Sequence, residues 1–156
     1  MRTTLALLAV TLFVSACTDP APPGPIAGTF ALEGHFVSRV EKSIVCGPNG
    51  CVFKEDTTSV EGAALGEVTF DTLTESTQSS SVALSFSQCS HCLINSGSTG
   101  HAWRHGDSVE VLFGVDPTLR LYGVYRGDSI SGRMVSAQSG TVTNSYSGTF
   151  AARRNP

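Results

Sequence analysis

Apolar and polar residues alternate with a period of two along most of the chain after residue 27. Successive side chains of a β-strand point to opposite faces, so this alternation places one set of residues in a core and the other set in water. Alternating runs begin at Phe30, Val82, Val109, Leu119, Ile130 and Val142. No amphipathic helix is expected after residue 16, and the pattern therefore predicts an all-β protein.

Turn-forming residues separate the runs, and they are Gly47-Pro48-Asn49-Gly50, Gly106-Asp107, Asp116-Pro117, Gly127-Asp128 and Ser139-Gly140. Short strands joined in this way are typical of an antiparallel β-sandwich or a closed barrel. The close succession of strands over residues 107–152 favours pairing between neighbours. We therefore predict an up-and-down barrel of about eight strands, with a β-sandwich as the alternative. The polar segment Thr72–Ser81 is predicted to be a solvated connection.

The pattern of residues 123–132, Gly-Val-Tyr-Arg-Gly-Asp-Ser-Ile-Ser-Gly, resembles the closing hairpins of calycin and lipocalin-like barrels. In the first strand, Gly28-Thr29-Phe30 has Phe where the lipocalin Gly-x-Trp signature has Trp. A barrel of this kind can hold a small, partly apolar ligand in its interior or mouth. The residues expected to face such a ligand are Phe30, Leu32, Phe36, Phe86 and Phe113.

The first 17 residues have the order of an export signal. Arg2 is followed by the apolar run Leu5–Val14 and then by small residues. The apolar run has ten residues, about half of what a permanent membrane-spanning helix needs. Val14-Ser15-Ala16-Cys17 resembles the lipobox of bacterial lipoproteins. The resemblance implies cleavage before Cys17 and acylation of this residue, with an ordinary secretory signal as the alternative.

These features divide the chain into three parts. Residues 1–16 are the expected lipoprotein signal peptide, residues 17–27 the lipidated cysteine with a Pro-rich tether, and residues 28–156 the barrel domain. Two or three acyl chains on Cys17 would anchor the protein stably, because each buried methylene contributes about 0.8 kcal/mol. Thr18 follows the cysteine in place of the Asp that signals inner-membrane retention in enterobacteria. The expected location is the bacterial cell envelope, with the outer membrane favoured.

Charge argues against nucleic acid as a partner. The whole chain has 10 basic and 13 acidic residues, and loss of residues 1–16 removes only Arg2, which leaves a net charge of −4. A chain with this balance does not attract a phosphate backbone.

Four cysteines remain once Cys17 is assigned to the anchor, namely Cys46, Cys51, Cys89 and Cys92. An even number in an exported domain predicts two disulfides. Local pairing is favoured, since Cys46 and Cys51 flank a strong turn and Cys89 and Cys92 are close in sequence. Sequence alone leaves all three possible connectivities open.

A zinc site is the rival interpretation of these cysteines, with His91, His101 and His105 as further ligands. An oxidising envelope opposes free thiolates, so disulfides are favoured and no metal or other cofactor is expected. On a strand, His101 and His105 would lie about 13 Å apart, too far to share one ion. They are predicted to be exposed loop residues that flank a core Trp103. A redox role for Cys89 and Cys92 is disfavoured, because no helix N-terminus is available to lower a thiol pKa.

Two functions remain after these exclusions. The first is a lipid-anchored barrel that binds a small apolar ligand, such as a lipid. The alternative is a structural or protein-interaction module of the envelope, an assembly factor or inhibitor, with the loop at residues 47–50 and the segment 91–105 as its contacts. No convergent set of catalytic groups is found, so an enzyme is not expected.

Overall fold

The computed structural model of the protein describes residues 24–54, 58–92, 94, 96–115, 117–138 and 143–156. The described residues form nine strands: β1 (Ile26–Gly47), β2 (Gly50–Lys54), β3 (Thr58–Leu73), β4 (Ser76–Cys89), β5 (Ser98–His105), β6 (Ser108–Phe113), β7 (Thr118–Tyr125), β8 (Ser129–Gln138) and β9 (Thr143–Arg154). None of the described residues belongs to a helix. The expected signal peptide, Cys17 and most of the predicted tether lie outside the described residues.

Every strand pairs antiparallel with its neighbour, and the sheet closes on itself. The strand order is β2-β1-β3-β4-β5-β6-β7-β8-β9, and β1 also pairs with β9. Closure joins β1 residues 30–42 to β9 residues 143–154. The result is an eight-stranded up-and-down barrel formed by β1 and β3–β9, which confirms the predicted fold class over the β-sandwich.

The barrel interior takes one set of alternating residues from each strand, as the period of two predicts. On β1, Phe30, Leu32 and Phe36 are buried, whereas Thr29, Ala31 and other residues of opposite parity face outwards. The other strands contribute large apolar side chains in the same way, including Val68, Phe70, Leu84, Val111, Phe113, Leu121, Ile130, Met134 and Phe150. These residues form a single core cluster.

Glycine at position 132 lets two strands approach closely inside the barrel. Gly132 on β8 lies opposite Gly123 on β7. A Cβ atom at Gly132 would overlap the carbonyl oxygen of Tyr122 and crowd the Cα of Gly123. This pair permits the sharp coiling that closes a small barrel.

One predicted connection is mostly strand. Thr72–Ser81 was predicted to be a solvated connection, but β3 runs to Leu73 and β4 begins at Ser76. Cross-strand polar contacts support the chain there, since the Ser80 hydroxyl donates to the carbonyl oxygen of Thr72 at 2.9 Å. A polar composition therefore did not prevent pairing, because the ladder uses backbone groups and an outward face tolerates Ser and Thr.

Candidate functional site: the disulfide-braced end of the barrel

Both intradomain disulfides lie at the same end of the barrel, which we call the braced end. It carries the β1–β2 turn, the β4–β5 connection (residues 90–97) and the β6–β7 connection (residues 114–117). Cys46 pairs with Cys51, and Cys89 pairs with Cys92. Local pairing of the four cysteines is thereby confirmed.

A two-stranded ribbon projects from the braced end, and we define it as residues 43–47 of β1 and 50–54 of β2. The pairing of β1 with β9 ends at Lys42, so the ribbon extends beyond the barrel wall. Its length corresponds to about 15 Å at the usual rise of a strand. The Cys46–Cys51 disulfide joins its two strands next to the turn, with the two Cα atoms 3.9 Å apart.

Two valines on the ribbon are exposed to solvent. Val45 and Val52 are cross-strand partners, so their side chains share one face of the ribbon. Their exposed fractions are 54 % and 68 %. Sequence reasoning missed this pair, although β-branched residues on both sides of the Cys46–Cys51 turn were the available signal.

The second feature of the braced end is the β4–β5 connection, which folds over the mouth of the barrel. The Ser90 hydroxyl lies 2.9 Å from the backbone nitrogen of Ala63, from which it accepts a hydrogen bond. At the other end of the connection, the backbone nitrogen of Gly97 donates to the carbonyl oxygen of Leu84 at 3.0 Å. Between these anchors, Ile94 is 8 % exposed and packs into the core. The connection therefore covers the mouth with an apolar side chain.

Of the five predicted interior residues, Phe30, Leu32, Phe36 and Phe113 are buried, and Phe86 is half-buried against the core. They belong to one packed cluster. The cavity at the mouth has a volume of about 10 Å³ and is lined by Phe36, Phe86, Cys92, Ile94, Leu119, Met134, Ser136 and Tyr146. A space of this size holds at most one water molecule, whereas ligand pockets are typically about 300–1,000 Å³.

The opposite end of the barrel is closed by two arginines. Arg104 is 3 % exposed, and its guanidinium lies 5.4 Å from the centre of the Tyr125 ring. It donates hydrogen bonds to the carbonyl oxygens of Gly24 at 2.7 Å and Gly106 at 2.8 Å. Arg154 covers the Phe30 ring at 4.9 Å. This closed end also receives the chain that precedes β1, because Arg104 binds Gly24.

The predicted exposure of His101 and His105 is confirmed, but their placement in a loop and the core position of Trp103 were wrong. His101 and His105 are exposed on strand β5, not in a loop, and Trp103 is half-buried on the outer face. Ala102 and Arg104 take the inward positions, and the alternation turns the other three residues outwards. An inward Arg gives no apolar signal in the sequence, which is why the assignment of faces failed here. Among the residues that the structure describes, no group of three or more His, Cys, Asp or Glu side chains is placed to hold a metal ion.

Tyr146 gives the braced end a pH dependence that can be measured. Its side chain is 6 % exposed, with its ring 4.9 Å from that of Phe36. Burial raises the pKa of Tyr146 to about 12, and a hydrogen bond with Ser38 opposes this effect. The phenol of an unfolded chain has a pKa of about 10. The stabilising contribution of the neutral phenol is therefore complete below pH 10 and is lost as the pH rises from about 10 to about 12.

We expect the urea midpoint of the wild-type protein to fall more between about pH 9 and about pH 12 than that of Tyr146→Phe. Urea titrations monitored by circular dichroism at both pH values measure the difference. Tyr122→Phe is the matched control, because it removes a phenol from the outer face of β7. Equal falls in the wild type and Tyr146→Phe would contradict the prediction.

The fold defines the class of the domain as a closed, eight-stranded, antiparallel barrel that is compatible with a lipocalin-like domain. Comparison with known proteins adds no closer assignment, since no protein-family model, characterised protein or solved structure matches the chain at a significant level. Within the described residues, no helix has the length and apolar character needed to span a membrane.

Proposed function

We propose that this protein is a lipid-anchored interaction module of the bacterial cell envelope that contacts another protein through the braced end. The observation that carries this proposal is the ribbon, whose exposed Val45 and Val52 project beyond the barrel on a disulfide-linked hairpin. An apolar surface held rigidly in water favours association, because less conformational freedom is lost on binding.

The packing of the interior also supports an interaction module over a carrier. Phe30 and Phe113 are fully buried in the core. The cavity of about 10 Å³ at the mouth leaves no room for a lipid chain in this conformation. An eight-stranded barrel can be filled by its own side chains.

The position of the proposed anchor fits this function. Arg104 binds the carbonyl oxygen of Gly24 at the closed end of the barrel. Cys17 lies seven residues before Gly24, a span of at most about 25 Å when the chain is extended. Acylation of Cys17 would thus place the closed end next to the membrane and direct the ribbon away from it, towards other envelope proteins.

Binding of a small apolar ligand is the second candidate function, and the mouth of the barrel favours it. Two of the residues that line the cavity, Cys92 and Ile94, belong to the β4–β5 connection and not to a strand of the barrel wall. Displacement of this connection would expose the apolar side chains of Phe36 and Met134 to a ligand. This candidate requires a conformational change, whereas the interaction module does not.

Site-specific photo-crosslinking in the bacterial host tests the first proposal. A benzophenone amino acid is placed at Val45 on the ribbon or, as the matched control, at Val135, an exposed valine on the outer wall. We expect protein adducts from position 45 and at least about fivefold less adduct from position 135, because only the ribbon end is proposed as a contact. The same cells are labelled with an alkyne fatty acid, which we expect to modify the wild type and not Cys17→Ala.

Three results would contradict the proposal. Equal adduct yields from the two positions would remove the ribbon as the contact. A stoichiometric lipid retained by the purified protein in native mass spectrometry, together with no adduct from position 45, would favour the carrier. Fatty-acid labelling of Cys17→Ala at the wild-type level would refute the anchor.

A further inference from the structure

The ribbon carries an open sheet edge. Barrel closure gives β1 and β3–β9 partners on both sides along the wall. Among the described residues, β2 pairs with β1 alone along its whole length, and residues 43–47 of β1 pair with β2 alone. An unpaired edge offers backbone donors and acceptors to another strand. This edge lies at the end of the molecule that is proposed to make contacts.

Hairpin geometry determines which groups face outwards from β2. In a two-residue hairpin, the residues next to the turn, here Gly47 and Gly50, form the closing hydrogen-bonded pair. The next pair, Cys46 and Cys51, is then non-hydrogen-bonded, and its short Cα separation of 3.9 Å agrees with this. The backbone groups of Val52 are consequently hydrogen-bonded to those of Val45 on β1. The N–H and C=O groups of Cys51 and Phe53 point to the open edge.

The sequence of β2 leaves this edge without the usual protection. Natural sheets block edges with proline, charged residues or bulges. The strand Gly50–Lys54 contains no proline, and its one charged residue, Lys54, is at the base. Its centre is Val52, which is 68 % exposed. The Cys46–Cys51 disulfide holds this edge in an extended conformation next to β1.

We propose that β2 pairs antiparallel with β2 of a second copy of this chain, about a twofold axis at Val52. In this register Cys51 of each copy lies opposite Phe53 of the other, and four hydrogen bonds form between the open-edge groups. The two Val52 residues face each other as a non-hydrogen-bonded pair, in which side chains are closest. The inference rests on the proposed function, because it names a partner for the same ribbon.

Self-complementarity argues for a second copy over a different protein. The twofold axis places Val45 and Val52 of each copy in one row of four valines across a continuous four-stranded sheet. Lys54 lies opposite Gly50 of the other copy, so no like charges face each other within β2. Both the backbone groups and the exposed apolar surface of the strand are matched by its own copy.

The expected dimer is weak in solution. A stable interface buries about 800 Å² on each partner, and a strand of five residues offers much less. Anchoring through Cys17 would confine both copies to one surface and raise their effective concentration. Pairing should therefore depend on the density of the protein on the membrane.

Energy transfer between copies on vesicles tests the proposal. Full-length lipidated protein, labelled at the C-terminus with a donor or an acceptor dye, is reconstituted into vesicles of phosphatidylethanolamine and phosphatidylglycerol at increasing density. We expect wild-type transfer to exceed that of randomly mixed copies. Val52→Lys places two like charges together, so it should need at least about tenfold higher density for the same transfer. Val135→Lys, a matched change on the outer wall, should behave as the wild type.

Hydrogen exchange supplies a second measurement on the same vesicles. Pairing should slow exchange in the peptide that contains Cys51 and Phe53 as the density rises, and Val52→Lys should abolish this effect. Circular dichroism and non-reducing mass spectrometry confirm that each variant folds and keeps the Cys46–Cys51 disulfide. Wild-type transfer at the random level, or equal transfer in Val52→Lys, overturns the proposal. If crosslinks from position 45 then join the chain only to other proteins, the proposed function stands and self-pairing fails.

Discussion

Phe30→Ala is expected to lower the free energy of unfolding by about 3–5 kcal/mol, the range for truncation of a buried phenylalanine. Phe30 is completely buried, packs edge-to-face on Phe70 with ring centres 5.6 Å apart, and lies under the guanidinium of Arg154 at 4.9 Å. Truncation to Ala removes the buried apolar surface of the ring, its contact with Phe70 and its contact with Arg154. It also leaves a void at the closed end, where β1 lies between β3 and β9.

Urea titration at neutral pH measures this loss for Phe30→Ala. Val135→Ala is the control, because its side chain lies on the outer wall, 39 % exposed, and should change stability by less than about 0.5 kcal/mol. A loss below about 1.5 kcal/mol for Phe30→Ala would mean that the closed end repacks around the missing ring.

Gly132→Ala is expected to destabilise the barrel by about 3 kcal/mol, at the upper end of the usual cost of overpacking. The added methyl group would overlap the carbonyl oxygen of Tyr122 and the Cα of Gly123, and both belong to the backbone of β7. Rotation of a side chain cannot relieve the overlap. The two strands would have to separate and weaken their hydrogen bonds.

The same substitution at Gly47 is the matched control. A Cβ atom at Gly47 meets no atom within 4 Å, so Gly47→Ala should change the urea midpoint little. Comparable losses for the two variants would show that the intrinsic preference of glycine, and not the close approach of β7 and β8, determines the cost.

The fold was largely predictable because its signals are local. Alternation around Phe30, Leu32 and Phe36 reports which face of β1 is buried, and this requires no knowledge of its partners. The disulfides were predictable for the same reason, since each joins cysteines separated by five residues or fewer.

Features that depend on distant contacts were less accessible. The buried guanidinium of Arg104 donates a hydrogen bond to the carbonyl oxygen of Gly24, which is 80 residues away. The inward position of Arg104 could therefore not be read from β5 alone. The exposure of Val45 and Val52 depends on where β9 stops pairing with β1. Similarly, alternation identifies an inner face without revealing whether the side chains on it fill the space.

The seam between β1 and β9 has a kinetic consequence. It pairs Phe30 with Arg154, which lie near the two ends of the domain in sequence. The loop that this pairing closes therefore spans almost the whole domain. The entropic cost of such a loop is met before its contacts form, which slows folding. The hairpins from β3 to β8 can form as soon as they are synthesised, but the seam cannot close until the last strand is complete. Until the seam closes, β1 and the completed β9 both present open edges, and a chaperone that shields them would raise the yield of closed barrels.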